Sequence, residues 1–221
     1  EGARFLGVWV DEGLRWTGQI DLVRAKVGRL LGVLGRAGAV LGGRSLLSLY
    51  NGLVLPHLQY CLMVWGDFQE GGNGVRAAPL LRYQKRLAGL VDGKRGRFHA
   101  DPLFARYGIL KIGDLYRQQL RVHAWRFWNG QLPANQAAML TRTGDVHSYA
   151  TRSARGGLAL MTRDHRSIGY RAPKEWASLP ETQRGLGSLA AFKRRTRMQF
   201  VADYGAFGCC LVGCGVCRLS V

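Results

Sequence analysis

The chain has 221 residues, nearly half of them apolar, and carries 32 Lys and Arg against 14 Asp and Glu, a net charge of +18. That apolar share excludes disorder throughout, and one large domain or two small ones would bury roughly 70% of the unfolded surface. So basic an excess points to a polyanion, either nucleic acid or an anionic membrane surface. Only six of the 32 cations are Lys. Arg, whose planar fork grips phosphate with two hydrogen bonds and stacks on bases, tilts the choice to nucleic acid. A GC-rich gene would inflate Arg together with the 31 Gly, but it does not account for the scarcity of acids. Four of the five Cys crowd the last thirteen residues, which is no framework for a disulfide-rich secreted domain. There is no basic-then-apolar leader and no run of the ~18 apolar residues needed to span a bilayer. The expected compartment is cytoplasm or nucleus, with the chain neither secreted nor transmembrane.

In chain order, Phe5 to Asp11 reads as one short strand that Glu12-Gly13 turns, with Leu14-Arg15-Trp16 as a second strand or the entry to a helix. A chain that opens on a strand without a preceding partner is expected to be a fragment. From Gln19 to Leu41, Ile20, Val23, Val27, Leu30, Leu31 and Leu34 recur at helical spacing, and Arg24, Lys26, Arg29 and Arg36 lie mostly off that face. The glycines inside it each cost about 1 kcal/mol relative to Ala. Ser45 is expected to cap a second helix running toward Pro56, and Glu70 to Gly74 to form a loop. Pro79 to Leu90 predicts a third helix with Leu80, Leu81, Tyr83, Leu87 and Leu90 inward and Arg82, Lys85 and Arg86 outward.

Asp92 to Arg97 reads as a basic turn, and Asp101-Pro102 as the cap of a short helix to Tyr107. Ile112 to Asn129 predicts a long helix with an aromatic, partly basic face. From Gln131 to Pro180, Gly, Arg, Ser and Thr dominate, and the expectation is a loop-rich segment with two or three short strands. Ser188 to Tyr204 recovers a helix, marked by Leu189, Phe192, Met198, Phe200 and Val201. The predicted fold is therefore mainly α: a hairpin over residues 1–18, a helical bundle over 19–130, a loop-rich region with a terminal helix over 131–204, and a Gly/Cys-rich tail over 205–221.

Several segments together resemble one family. Tyr50-x-x-Leu53-Val54-x-Pro56-His57-Leu58-x-Tyr60-Cys61-x-x-Val64-Trp65-Gly66 is similar to the stretch that follows the palm in reverse transcriptases of non-LTR (LINE, jockey-like) retrotransposons. Phe5-Leu6-Gly7-Val8-Trp9-Val10-Asp11, with Leu14, Trp16 and Ile20 after it, resembles the family's primer-grip stretch, with Gln19 in place of the usual His. Gln84-Lys85-Arg86, His99-x-Asp101-Pro102-Leu103-Phe104, Leu110-Lys111-Ile112, Asp114-Leu115-Tyr116, His147-x-Tyr149-x-Thr151-Arg152, Trp176-x-Ser178-Leu179-Pro180 and Phe192-Lys193-Arg194 follow in family order, over residues 5 to 204.

The resemblance implies a helical thumb and the region downstream of it, from an RNA-directed DNA polymerase. It implies that Leu6, Gly7, Val8 and Trp9 correspond to the primer grip; a core strand is the competing reading for these four. The family's fingers and palm, with the aspartates that converge on two magnesium ions about 4 Å apart, have no counterpart in these residues. Polymerase activity by this chain alone is not expected, and no cofactor is implied for it. Magnesium belongs to the complete enzyme.

The residues themselves offer Lys85, Arg86, Arg152, Arg155, Arg163, Arg166, Lys193, Arg194, Arg195 and Arg197 as contacts to RNA or an RNA–DNA hybrid, with Arg171, His147, Tyr149 and Tyr170 interleaved. Trp65, Trp125, Trp128 and Trp176 are expected in the core rather than as stacking platforms, and His57 packed rather than metal-bound. Cys214-x2-Cys217 has half of a zinc-site spacing, and Cys210 is a possible third thiolate. No His follows, and the tail reads rather as unpaired and disordered, or as translated beyond the ancestral frame. No membrane or small-molecule partner is implied. The alternative is a non-catalytic helical remnant of a decayed or co-opted element that binds protein.

Overall fold

A computed structural model of the chain describes residues 2–66, 74–94, 96, 98–146 and 156–205. By its contacts the chain divides into two units, one of residues up to Leu115 together with those from Gln199 on, the other Tyr116–Met198. The fold is mainly helical with one N-terminal hairpin, as the sequence predicts.

In the first unit, strands β1 (Gly2–Phe5) and β2 (Val8–Asp11) pair antiparallel with Phe5 opposite Val8. The hairpin turn is therefore Leu6-Gly7, not Glu12-Gly13. Both turn residues have positive φ, 45° and 81°. That is the sign pattern of the two-residue turns whose twist matches the strands, and Gly7 adopts it without strain. Leu6 does so against its Cβ, a cost of about 1–2 kcal/mol.

Helix α1 (Thr17–Ala37) buries Ile20, Val23, Val27, Leu31 and Leu34 on one stripe. Each buried side chain contributes about 2 kcal/mol, which outweighs about 1 kcal/mol for each helical glycine. At Gly18 a Cβ would stand 2.5 Å from the Trp9 ring, so glycine there lets the indole lie on the helix. Gln19, buried one residue on, accepts the Trp9 backbone N–H on its Oε1 at 2.9 Å and ties β2 to α1.

Helix α2 (Gly43–Leu49) starts two residues before the expected Ser45 cap. Its end does not stop before Pro56 but widens into a π-helical turn (Tyr50–Val54), and Pro56 sits in the first turn of α3 (Leu55–Gln59), where its missing N–H costs nothing. A short α4 (Leu62–Trp65) follows, with Leu58, Leu62 and Trp65 fully buried. The Tyr60 hydroxyl donates to the Leu6 carbonyl at the hairpin tip, and Trp65 Nε1–H donates to the Tyr60 carbonyl at 2.9 Å.

Helix α5 (Gly74–Val91) begins five residues before the expected start and carries Pro79 inside it. Burial of Ala77 and Leu80 on either side offsets the lost hydrogen bond. The helix packs on α1 and α2, and on α6 (Asp101–Tyr107). Asp101 is the first helical residue rather than the cap, and its carboxylate meets Lys111 Nζ at 2.9 Å.

A buried amide joins these pieces. Gln84 has no exposure; its Nε2 donates to the Tyr50 hydroxyl at 3.1 Å and to the Leu110 carbonyl at 3.0 Å. Its Oε1 accepts the Ile112 N–H at 2.9 Å, at the start of α7 (Ile112–Trp128). At the far end of the chain, the hydroxyl of Tyr204 on α12 (Leu189–Gly205) donates to Asp114 and accepts the Lys111 N–H at 3.1 Å. Burial first, then the Asp114 charge, raise the pKa of that phenol far above its ordinary value, so it stays a donor.

In the second unit the region is loop-rich as expected, but short helices stand where strands were expected. Residues 131–180 hold α8 (Ala134–Ala137), α9 (Thr143–Val146) and α10 (Ile168–Ala177), and the described residues there form one isolated bridge, Arg142 to Leu158, in place of strands. Ser167 caps α10, its Oγ accepting the Gly169 N–H at 3.1 Å. A one-turn α11 (Glu181–Arg184) precedes α12. Trp125, Trp176 and Phe192 are fully buried against one another, with Trp128 on Trp176 at 5.8 Å. Glu175 receives Arg117 and Arg121 Nε–H at 2.9 Å each.

Replacing Gln84 by Leu leaves the Leu110 carbonyl and the Ile112 N–H unpaired in the interior, at about 1–3 kcal/mol each. Urea unfolding is expected to show a loss of about 2–4 kcal/mol. A loss under about 0.5 kcal/mol would show that the amide does not hold these segments together.

Candidate nucleic-acid interface

Burying Gln84 decides what its helix shows to solvent. With that residue inward, Arg82, Lys85 and Arg86 stand on the opposite side and are exposed, as expected. Across from Arg86, Arg36 at the end of α1 is also exposed. Between them lies a groove of about 560 Å³ lined by Gly28, Gly32, Gly35, Arg36, Tyr83 and Arg86. Among the described residues none of Arg36, Arg82, Lys85 and Arg86 has a carboxylate partner. By contrast, Arg106 pairs with Asp92 at 2.8 Å, and that hydrogen bond and charge hold its pKa above the ordinary value.

In the second unit, α12 turns Phe192 and Thr196 inward, so Lys193, Arg194, Arg195 and Arg197 are all exposed. The Lys193 carbonyl accepts Gln118 Nε2–H at 3.3 Å, while its ammonium faces solvent. Arg163 and Arg166 are exposed on the separate loop before α10, where the Arg166 N–H donates to Asp164 Oδ1 at 2.9 Å. Arg171 is not on this surface. It is buried, donating to the Tyr116 hydroxyl and the His165 carbonyl, because α10 turns it inward.

The rings interleaved with these cations are largely occupied. Tyr170 carries Lys174 Nζ 4.4 Å from its ring centre and His165 edge-on at 4.4 Å. Trp128 carries the Arg142 guanidinium at 4.8 Å. Trp65, Trp125 and Trp176 are core residues, as expected.

Of the hairpin residues, Val8 is buried and Trp9 half-buried, while Leu6 and Gly7 form the exposed tip. Arg152 and Arg155, with His147 and Tyr149, lie outside the described residues, as do Cys210, Cys214 and Cys217. Among the described residues no three His, Cys, Asp or Glu side chains converge as a metal site, and no helix is long and apolar enough to cross a membrane.

Sequence reading missed the buried cations. Arg121 is nearly inaccessible, with Glu175 as its partner and Arg117 beside it. The spacing of Arg117 and Arg121, four apart on one helix, is the signal that could have shown a shared carboxylate. It also missed Gln84, which no hydropathy pattern distinguishes from a surface amide. Compared with known proteins, the chain matches no family model, no curated protein and no solved structure.

His123 is buried on α7, and its Nε2 has no hydrogen-bond partner among the described residues. Burial first, then the Arg126 charge, push its pKa below the ordinary value. The unfolded chain takes up a proton as pH falls through about 6.5 and the folded chain does not, so the contribution of His123 to stability is full above that pH and is lost below it. Between pH 7.5 and 5.5 the urea midpoint of the wild type is expected to fall further than that of His123→Gln. Equal falls would contradict a neutral, buried imidazole.

Proposed function

We propose that this chain is the thumb-like and downstream portion of a non-LTR retrotransposon reverse transcriptase, and that it binds RNA or an RNA–DNA template-primer. The reading rests on the family order of the segments in the sequence. The single structural observation that supports it is the set of exposed cations Arg36, Arg82, Lys85 and Arg86, which have no carboxylate partner among the described residues, with Arg36 and Arg86 lining the groove. A folded protein that needed these charges only for solubility would place acids among them; here none of the described residues neutralises them, which favours contact with phosphates. No catalytic step is assigned to the chain, since the carboxylates of the polymerase site have no counterpart in its sequence.

A second reading has one observation in its favour. Phe5 and Leu6 are 69% and 76% exposed at the hairpin, and Leu14, Tyr60 and Val64 are about half exposed. Exposed apolar groups of this size suit a protein partner.

Binding to a primed RNA template, measured by fluorescence anisotropy over a range of salt, separates the two. Each phosphate neutralised contributes roughly −0.7 to −0.9 to the log–log slope. Four contacts predict a slope of about −3, tighter binding to the hybrid than to double-stranded DNA of equal length, and a slope shallower by about 1.5 for Lys85→Ala/Arg86→Ala. A flat salt response would leave only the protein-binding reading.

A further inference from the structure

The corner between α11 and α12 has three features that the fold does not use. Thr182, Gln183, Leu186, Arg194, Arg195 and Met198 line a cavity there of about 340 Å³. Met198, expected on the apolar face of α12, is instead 57% exposed. Arg194 and Arg195 stand beside it without a carboxylate partner among the described residues. The wall of the cavity is fixed in advance, because Trp125 Nε1–H donates to the Leu186 carbonyl at 2.8 Å.

These features together specify a ligand chemistry. Two adjacent guanidiniums call for a phosphate-like anion. A thioether and a leucine beside them call for a flat or adaptable apolar body. The volume lies at the lower end of the range for small-molecule sites, about 300–1,000 Å³, which suits one nucleotide and not a duplex. A base stacked in a duplex has its faces covered, whereas a base splayed out of a single strand offers face and phosphate at once.

We infer that this corner seats one unstacked nucleotide of single-stranded RNA. The phosphate lies on Arg194 and Arg195, and the base lies against Leu186 and Met198. The inference deepens the nucleic-acid reading and rests on it, adding a pocket for a single base to what is otherwise a contact with backbone charge.

The test uses the full chain labelled with ¹³C at the methionine methyls, with the Met198 signal assigned by its loss in Met198→Leu. The signal is followed on adding a mixed-sequence RNA hexanucleotide, the same sequence as an RNA duplex, uridine and adenosine monophosphates, inorganic phosphate, and a phosphoserine peptide. The expected result is a saturable shift with the single strand, and a weaker one with the monophosphates. Binding of the hexanucleotide is expected to weaken at least tenfold in Arg194→Ala/Arg195→Ala. Three results would overturn the inference: equal shifts with inorganic phosphate or the phosphopeptide, an equal shift with the duplex, or no Met198 shift at all. If the Met198 signal stays still while the primed template binds with a steep salt dependence, the pocket fails and the nucleic-acid reading survives. If neither responds, both fail.

Discussion

The buried amide of Gln84 is the constraint on which the first unit depends. Two segments distant in sequence, the π-helical turn at Tyr50 and the stretch from the Leu110 carbonyl to the first N–H of α7, meet at one side chain with no access to water. Because an unmade hydrogen bond in the interior costs about 1–3 kcal/mol, this arrangement penalises any rotation of α5 about its axis. The consequence reaches the surface. A residue held inward at 84 fixes 82, 85 and 86 outward, so the position of the cations is set by a polar contact on the other side of the helix.

The segments that carry the family resemblance are, in the structure, mostly the ones that tie the fold together. Tyr60 closes on the hairpin tip and Trp65 on Tyr60; Asp101 holds Lys111; Asp114 holds Tyr204. Their chemistry is spent internally. The basic residues differ in kind. Arg121 and Arg171 are absorbed by Glu175 and Tyr116, while Arg36, Lys85, Arg86, Arg194 and Arg195 meet no acid among the described residues. The first group stabilises the protein, and the second is left without an acid among the described residues.

Much of the helical framework was legible because it follows apolar periodicity. In α1 the stripe from Ile20 to Leu34 is the buried stripe, and α7 and α12 begin and end within a residue or two of expectation. The failures have physical causes. Gly169 and Pro173 made α10 look irregular, yet a Ser cap and the burial of Ala172 and Trp176 sustain it. Pro56 and Pro79 were read as boundaries, but each tolerates a helix where its missing N–H is either not needed or offset by packing. The candidate surface was legible at Lys85, Arg86 and Lys193 to Arg197, where charge alternates with a visible apolar seam. It was not legible at Arg171 and Met198, whose directions depend on contacts made across the unit rather than along the chain.

Cross-linking of the full chain to a primed RNA template carrying 4-thiouridine, with the attached peptides identified by mass spectrometry, tests the central claim most directly. The account predicts attachment concentrated at residues 82–86 with the facing end of α1, and at 193–198. Attachment spread in proportion to the number of Lys and Arg along the chain, or confined to the hairpin around Leu6, would contradict it.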